Sequence, residues 1–530
     1  MLLAAIITHL AMANGDNIVF ILTDDQDVML DGGDHQPQVQ ALIRDEGVTL
    51  TSAFVSTPVC CPSRGSFMTG KHIHNIPMVN NTAAGNCSGP QWNAGAEKRT
   101  VGVLMQEQGY WTAYGGKYLN AYGEAVSGGP EHVPPGWDRW NGLVGNSRYY
   151  NYTLSVGDSA SGGTAEKHHD VYHDDYLTLL LENRTVAMLH ARAAANAAGD
   201  ARPFFIIAAV PAAHSPHIPA PQHAFTLVGT AAAPAPRTPN FGAGWEGKHW
   251  LVESQGSVWR ADAPPHGPGI RAAMSDWEHV RRLEALLSVD DLVASVVATL
   301  KATSLLDETF IFYASDHGYH LGQFGLMKDK RFPYDHDVRI PAYVRGPGLP
   351  HGATSDAMVA NIDFAPTFLA IAAASSAKRS SSRAPVEMAA VERHAAAAGT
   401  DVLDGYSFLG ELRSARRVDG RGASSSSSSE GSRHRRSLLL EYHGEGHASV
   451  SPELADVCKG QISSGMACWP EGQEPRLPHP PPLIKPGHVC SCQDSTNNST
   501  PPQPSRTPPA TLGAAVTQFA PSACSCVPLT

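Results

Sequence analysis

The sequence predicts an α/β fold with a mostly parallel, mixed central sheet flanked by helices. Short continuous apolar runs, which are typical of strands buried on both faces, alternate with helical stretches such as residues 281–302. Strand–helix alternation of this kind implies a sheet that is covered by helices. The predicted strands are NIVFIL (17–22), YWTAYGG (110–116), PFFIIAAV (203–210) and TFIFYA (309–314).

Polar residues follow each of these predicted strands. In an open parallel sheet the ligand crevice lies outside the carboxyl ends of the strands, so we expect these side chains to meet there. The residues concerned are Asp24, Asp25, Lys117, His214, His217, Asp316 and His317.

Composition limits the possible classes of function. The chain has 530 residues, of which 42% are hydrophobic and 17% charged, as in a globular protein with an ample core. A formal net charge of -11 argues against a nucleic-acid binder, because such proteins are usually basic. No apolar run approaches the roughly eighteen residues of a membrane span, so we expect no spanning segment.

The two ends of the chain differ in character from its middle. Residues 1–13 are apolar and end in a small-x-small pattern, which predicts a signal peptide, although a buried first strand is the alternative. We expect the main domain at 14–410, with a low-complexity insertion at 372–400. A disordered Ser/Arg-rich linker (411–436) and a Cys/Pro-rich C-terminal segment (437–530) should follow.

Sequons and cysteines support a route through the secretory pathway. Asn80, Asn86, Asn151 and Asn183 lie in sequons and are predicted glycosylation sites. The cysteines form an early group and a late group, which suggests a separately cross-linked C-terminal segment in an oxidising compartment. We therefore expect an extracellular, periplasmic or lysosomal protein.

The stretch VCCPSRGSFMTGK (59–71) places a vicinal cysteine pair before a short predicted helix. Adjacent cysteines form a strained disulfide and lack the spacer of a zinc hook. Proline is common in the first helical turn and glycine just past the end, so Pro62 should open the helix and Gly70 should close it. Cys60 would then lie at an N-terminus that favours anions, with Arg64 one turn further on.

The carboxylates at the strand ends predict a metal site. Asp24, Asp25 and Asp316 would repel one another without a cation, and ligation by oxygen atoms suits Ca2+ or Mg2+ better than zinc. The alternative is that Asp24 and Asp25 only form a turn after the first strand.

Basic residues near the same crevice could bind an oxyanion. Lys117 and Lys330, together with Arg64, would supply positive charge around it. His214 or His217 could donate a proton to a leaving oxygen, although each could instead be a structural histidine.

The segment Cys60-x-Pro62-Ser63-Arg64, followed by Thr69-Gly70-Lys71, resembles the sulfatase signature. The resemblance extends over residues 17–446, and VNNTAAGNCS and NSRYYNYTLS are similar to the N-acetylglucosamine-6-sulfatase branch and its arylsulfatase relatives. It is carried by LTDDQD, GGKYLNAYG, SDHGYHLGQFG, DKRFPYDHDVRIPAYVRGPG, ANIDFAPTFL, DGYSFL and EYHGEG.

This resemblance implies an alkaline-phosphatase-like sulfatase fold, with the catalytic domain at 14–410. It also implies a sulfuric ester hydrolase that acts on a sulfated small molecule or a glycosaminoglycan-type glycan. The ester that it cleaves would be an aryl sulfate or an N-acetylglucosamine 6-sulfate. In the family the signature cysteine, here Cys60, is oxidised by a formylglycine-generating enzyme to formylglycine (3-oxoalanine). One hydroxyl of its gem-diol then attacks sulfur and forms a covalent sulfo-enzyme.

The resemblance also implies a role for each matching residue. Arg64 and Lys117 would hold the nucleophile, and His214 or His217 would be the acid. Lys330 would bind sulfate, whereas its neighbour Lys328 is interpreted as a solvated loop residue. One Ca2+ would be held by Asp24, Asp25, Asp316, His317 and residue 60.

Some features depart from the family pattern and leave alternatives open. His317 stands where many relatives have asparagine, and Leu119 where many have histidine. The C-terminal segment begins like the family's Cys-rich tail and then becomes Pro-rich, so we expect only part of the small C-terminal domain. The alternatives are a phosphatase or phosphodiesterase of the same superfamily, which would need Ser or Thr as nucleophile, and a catalytically inert secreted glycoprotein.

Overall fold

The computed structural model describes residues 16–248, 252–253, 268–326, 328–379, 403–417, 437–442, 488–493 and 523–528. They belong to two compact units, one within residues 1–244 and 256–442 and one within 245–255 and 443–530. The predicted signal peptide and most of both predicted low-complexity segments lie outside the described residues.

A central sheet organises the first unit. Its strands, as far as the chain is described, are β1 (Asn17–Thr23), β2 (Val48–Phe54), β3 (Trp111–Lys117), β4 (Arg139–Leu143), β5 (Thr153–Asp158), β6 (Gly162–Lys167), β7 (Phe204–Ala209), β8 (Thr309–Ser315), β9 (Ala342–Arg345), β10 (Ala353–Ala360) and β11 (Arg416–Arg417). Their order is β11-β10-β2-β9-β8-β1-β7-β3-β4-β5-β6.

The middle of this sheet is parallel, and antiparallel pairs lie on both sides of it, although β2 and β10 are parallel to each other. β8, β1, β7, β3 and β4 run in parallel, with β1 in the centre beside β7 and β8. β9 is antiparallel to both of its neighbours, and β5 and β6 add an antiparallel edge. The mostly parallel, mixed sheet predicted from the sequence is therefore confirmed, and so are its four predicted strands, each to within a residue or two.

Helices accompany the sheet along the chain. Their bounds are α1 (Pro37–Val39), α2 (Cys60–Thr69), α3 (Pro90–Ala94), α4 (Val101–Glu107), α5 (Leu177–Ala197), α6 (Pro268–Ala302), α7 (Asp335–Val338), α8 (Phe364–Arg379) and α9 (Leu409–Ser414), with a π-turn at Gln40–Arg44.

Alternate residues of β1 point to opposite faces, and each face has its own hydrophobic cluster. Phe20 packs with residues of α2 and α8 on one face, including Phe67 and Phe364. Ile21 belongs to the cluster on the other face, which also contains residues of α5 and α6. Because both faces of β1 are covered, its sequence is a continuous apolar run rather than an alternating one.

Two predicted boundaries need correction. α8 continues to Arg379, so the insertion predicted from residue 372 begins several residues too early. Its sequence there is rich in alanine, the residue with the highest helix propensity, and this outweighs the low complexity. α9 and β11 occupy the first residues of the predicted linker 411–436, because Leu409 and Leu412 are buried in the core.

The four predicted glycosylation sites differ in exposure. Asn80 is 2% exposed and Asn86 is 7% exposed, and the Asn86 amide donates to the carbonyl of Pro77. Asn80 and Asn86 therefore lie in more enclosed surroundings than the other two asparagines, and both remain predicted sites. Asn151 and Asn183 are exposed and remain predicted sites.

The second unit is described only in part. It contains β12 (His488–Gln493) and β13 (Ala523–Pro528), which pair in antiparallel fashion. The late cysteines at 458 and 468 lie outside the described residues. None of the helices that the structure describes is both long and apolar enough to cross a membrane.

Candidate active site

The vicinal cysteine pair opens α2, and its two members have different environments. The helix begins at Cys60, two residues before the predicted start at Pro62, and ends at Gly70 as predicted. Gly70 has a φ of 66°, a left-handed conformation that glycine adopts without strain. Pro62 lies within the first turn, where its missing N–H is not needed for helical hydrogen bonding. Cys60 is fully buried and is a free thiol.

Cys61 forms a disulfide with Cys87, which sequence reasoning did not anticipate. The two residues are 26 positions apart, and their Cα atoms are 5.7 Å apart, a usual distance for a disulfide. The backbone N–H of Cys61 donates to Asn81 at 2.8 Å, which satisfies one of the free donors of the first helical turn. Of the two adjacent cysteines, Cys61 is therefore held in a disulfide, and Cys60 is the one with a free thiol that could react.

Carboxylates from the ends of β1 and β8 meet beside Cys60, as predicted. Asp24 and Asp25 follow β1, and Asp316 follows its neighbour β8. The backbone N–H of Asp25 donates to Asp316 Oδ1 at 3.1 Å, and Asp25 has a φ of 64°. All three carboxylates are essentially inaccessible to solvent. The sharp turn after β1 thus brings two successive aspartates to one crevice.

Two basic residues are paired with these carboxylates. Arg64 Nε donates to Asp316 Oδ2 at 2.9 Å, and Lys117 Nζ donates to Asp24 Oδ2 at 2.7 Å. Arg64 also donates to the backbone carbonyl of Lys117 at 2.7 Å, which joins the two basic residues. Burial opposes ionisation of Asp24, but Lys117, His214 and Arg64 outweigh it and hold the pKa of Asp24 well below its usual value.

His317 completes the group of possible metal ligands. Its Nε2 lies 3.4 Å from Cys60 Sγ, 3.5 Å from Asp25 Oδ1 and 3.6 Å from Asp316 Oδ1. Its Nδ1 donates to the carbonyl of Gly318 at 2.9 Å, which leaves Nε2 directed at the cluster. Ligand atoms of Asp24, Cys60, Asp316 and His317 all lie within 4.8 Å of one another.

The electrostatics of the cluster favour a cation. Burial and the Asp24 charge raise the pKa of Asp316 to about 6. Burial opposes protonation of His317, but Asp316 and Cys60 outweigh it and raise the pKa of His317 to about 9. Among the described residues, none donates a hydrogen bond to Asp24 Oδ1, although this atom is buried. Arg64 Nη2 lies 3.7 Å from this oxygen, which is beyond hydrogen-bond distance. A buried carboxylate oxygen that accepts no hydrogen bond, beside other anionic groups, is the environment that suits a divalent metal ion.

The thiol of Cys60 is surrounded by basic groups. Burial raises the pKa of a thiol, but Lys117, Lys330 and His317 outweigh it and hold the pKa of Cys60 well below its usual value. Lys330 Nζ donates to both carboxylate oxygens of Asp25 at 2.9 Å, so the predicted lysine does reach the site from a distant part of the chain.

The neighbouring lysine is exposed and lies in a loop, as predicted, and it also has a partner. Lys328 is about half exposed (49%), and its Nζ lies 3.1 Å from Glu278 Oε1. A carboxylate on α6 comes within its reach, and sequence spacing gave no sign of this contact.

The structure distinguishes the two candidate histidines. His214 lies beside Cys60, and its ligand atom lies within 4.8 Å of those of Cys60, Asp24 and Asp25. Burial lowers the pKa of His214, but Asp25 and Asp24 outweigh it, so the net shift is upward. His217 is turned away, because its two ring nitrogens face the Ala213 carbonyl and Glu278.

Several residues that sequence reasoning missed support this arrangement. The hydroxyl of Ser147 donates to Asp24 Oδ2. Arg282 on α6 donates to the carbonyl of Asp25 at 2.7 Å and to Asp27 Oδ2 at 2.6 Å, which fixes the turn after β1. The hydroxyl of Ser63 donates to the carbonyl of Asp316. Ser147 and Arg282 belong to no motif that could have identified them. Ser63 lies within the Cys60–Arg64 signature, and Asp27 lies within LTDDQD.

Comparison with known proteins adds to this geometry. A family model described as Sulfatase matches residues 16–374. The N-acetylglucosamine-6-sulfatase of Homo sapiens is 37% identical over 484 residues, which cover 91% of this chain and 73% of that protein. The extracellular sulfatase SULF-1 homolog of Drosophila melanogaster is 39% identical over 67% of this chain and 29% of its own length. Relatives therefore include extracellular sulfatases.

A solved structure is similar in fold. It is described as a complex with the substrate D-glucosamine-2-N,6-O-disulfate, has a TM-score of 0.54, and is 22% identical over 77% of this chain and 82% of the compared chain.

Proposed function

This chain belongs to the sulfatase family and is a sulfuric ester hydrolase, and we propose that it removes the 6-O-sulfate of N-acetylglucosamine at glycan ends. The proposal of this substrate is supported by the 37% identity to N-acetylglucosamine-6-sulfatase, which extends over 91% of the chain. An aryl sulfate would present the same sulfate group to the site and is a suitable test substrate. The single structural observation behind the proposal is the convergence of Cys60 with His214, His317 and Lys330.

We propose that Cys60 is the residue converted to formylglycine, by a formylglycine-generating enzyme during maturation. Cys60 is the free thiol of the described residues, while its neighbour Cys61 is bonded to Cys87. Formylglycine, as its hydrate, supplies the hydroxyl that attacks sulfur and the second hydroxyl that later expels sulfate. Lys117 and Arg64 lie close enough to hold this group and to favour its ionised form.

A single Ca2+ ion is the metal we propose for this site. Asp24, Asp25, Asp316 and His317 would hold it together with residue 60. The Oδ1 of Asp24, which accepts no hydrogen bond from the described residues, supports this set. Carboxylate oxygens predominate among these ligands, and hard cations such as Ca2+ prefer oxygen. The ion would neutralise the repulsion between the carboxylates and polarise the sulfate oxygens.

Proton transfer to the leaving alcohol is assigned to His214. A sugar alkoxide is a poor leaving group, so its oxygen must receive a proton as the bond to sulfur breaks. The ligand atom of His214 lies within 4.8 Å of that of Cys60, and Asp25 and Asp24 raise the pKa of His214 against the effect of burial, which favours the protonated form. Lys330 would stabilise the charge that develops on a sulfate oxygen.

Sulfate release by the purified protein tests the proposed function. N-acetylglucosamine 6-sulfate and 4-nitrophenyl sulfate should both release sulfate, and a tryptic peptide containing residue 60 should be lighter than its unmodified form. Preference for phosphate esters over both sulfates would favour the phosphatase alternative. An unmodified Cys60 together with no turnover would favour the inert glycoprotein.

We propose a location in the secretory pathway, outside the cell or in a lysosomal compartment. The exposed sequons at Asn151 and Asn183, the Cys61–Cys87 disulfide and the need for formylglycine conversion support it. Glycosidase treatment of the secreted protein should lower its mass if either asparagine carries a glycan.

A further inference from the structure

Glu278 on α6 lies beside the candidate active site but has no part in the mechanism proposed above. Its Oε1 is contacted by three groups: His217 Nε2 at 2.9 Å, the Tyr319 hydroxyl at 3.0 Å and Lys328 Nζ at 3.1 Å. The side chain is 13% exposed. A largely buried carboxylate with several donors on one oxygen is held firmly in place.

His217 connects this carboxylate to the loop that carries His214. Its Nδ1 lies 2.6 Å from the carbonyl of Ala213, and its Nε2 lies 2.9 Å from Glu278. Both neighbours are hydrogen-bond acceptors, but a neutral imidazole has only one N–H. Because Lys328 and the Tyr319 hydroxyl also donate to Glu278, this carboxylate is held in place, and the His217 ring bridges it to the Ala213 carbonyl.

Burial and Glu278 act on His217 in opposite directions. Burial lowers the pKa of His217 below its usual value, and the hydrogen bond and charge of Glu278 offset only part of this effect. Conversely, burial opposes ionisation of Glu278, and His217 and Lys328 outweigh it so that the pKa of Glu278 falls. Without the carboxylate, the Nε2 side of the ring would lose its partner, and the ring would no longer be held between Glu278 and the Ala213 carbonyl.

The loop between Pro211 and His217 in turn sets the position of His214. Ala213 directly precedes His214, and the N–H of His217 donates to the carbonyl of His214 at 3.0 Å. The Nδ1 of His214 donates to the carbonyl of Ser215 at 2.7 Å, so the ring orientation follows the backbone of this loop. A shift of the loop would therefore move the ring relative to residue 60.

We infer that Glu278 is a positioning residue, which acts through His217 to orient His214 toward the reacting group. The inference rests on the proposed role of His214 as the acid. It gives the two histidines of this loop different roles: His214 lies beside the reacting residue, and His217 holds the loop. Protonation of the leaving oxygen should then depend on a carboxylate that does not itself touch the substrate.

The leaving group of the substrate provides the test. 4-Nitrophenolate leaves readily without a proton, whereas the more basic phenolate of phenyl sulfate benefits from one. Glu278→Gln keeps the size of the side chain and removes its charge. We expect kcat on phenyl sulfate to fall about tenfold or more, and kcat on 4-nitrophenyl sulfate to change by less than about twofold. His217→Gln, which leaves Glu278 in place, should show the same selectivity, with KM little changed on either substrate.

Two controls separate this inference from the function on which it rests. Lys328→Ala removes another partner of the same carboxylate and should leave both rates nearly unchanged. His214→Ala should show a stronger selectivity for the better leaving group. If His214→Ala is selective but Glu278→Gln slows both substrates equally, the inference about Glu278 is wrong and the acid role of His214 stands. If His214→Ala is itself unselective, the acid assignment fails, and the inference fails with it.

Discussion

Replacing Cys61 and Cys87 together by serine should destabilise the first unit without removing its catalytic group. The disulfide closes a loop with a sequence separation of 26 residues. For a loop of this length the chain-entropy relation gives roughly 3.5 kcal/mol of stabilisation at 25 °C. Serine is a suitable replacement because each sulfur also accepts a backbone hydrogen bond, from Asn120 and from Ala121, at 3.3 Å.

Unfolding in urea, followed by tryptophan fluorescence, measures this loss. Trp92 lies five residues after Cys87 and is fully buried, so its emission should report on the region. The double variant should unfold at a lower urea concentration, and wild-type protein treated with a thiol reductant should match it. Turnover per folded molecule should stay within about twofold of wild type, because Cys60 is unchanged.

Two results would refute this reasoning. Equal stability of the double variant and the wild type would mean that Cys61 and Cys87 are not bonded in the folded protein. A complete loss of sulfate release, with a native melting curve, would mean that Cys61 rather than Cys60 is the converted cysteine.

Other predictions concern the site and one buried ion pair. Cys60→Ala should abolish sulfate release with an unchanged melting curve; residual turnover at the wild-type rate would contradict it. Lys330→Ala should lower kcat on an aryl sulfate by about a hundredfold, whereas Lys328→Ala should lose little, and the reverse order would refute the assignment. Chelation should abolish activity, and Ca2+ should restore it better than Zn2+. Stoichiometric zinc in a metal analysis of the purified protein would refute the calcium assignment. The hydrogen bond to Glu97 raises the pKa of His132 despite burial. The free energy of unfolding that is lost in His132→Gln should therefore be greatest below about pH 6.5 and should shrink as pH rises through the raised pKa. A loss that grows at alkaline pH would contradict this expected pH dependence.

The strands and their polar ends could be predicted because both are local features of the sequence. A strand buried on both faces needs a continuous apolar run, and in a parallel sheet the residues that follow it have to share one edge. This is why Asp24 and Asp316 could be placed together although they are far apart along the chain. The order of the strands, by contrast, depends on how helices pack on each face, and no short motif encodes it.

The contacts of α6 could not be predicted for the same reason. Arg282 and Glu278 lie on a long helix whose sequence indicates only that one of its faces is apolar. Their partners, Asp25 and His217, are set by the position of that helix relative to the strand ends. The choice between His214 and His217 likewise depended on a carboxylate that no spacing rule connects to either of them. Contacts between residues far apart in the chain depend on how the helices pack against the sheet, and no short stretch of sequence determines that packing.

Helix geometry explains how adjacent cysteines acquire different chemistry. Consecutive residues of an α-helix project about 100° apart, so Cys60 and Cys61 cannot face the same neighbours. Cys60 faces the carboxylate cluster, and Cys61 faces Cys87. Residues four apart share a face, and Arg64 accordingly contacts the same carboxylates as Cys60. The spacing from cysteine to arginine in the signature is therefore one helical turn, and the second cysteine fixes the start of that helix by a covalent bond.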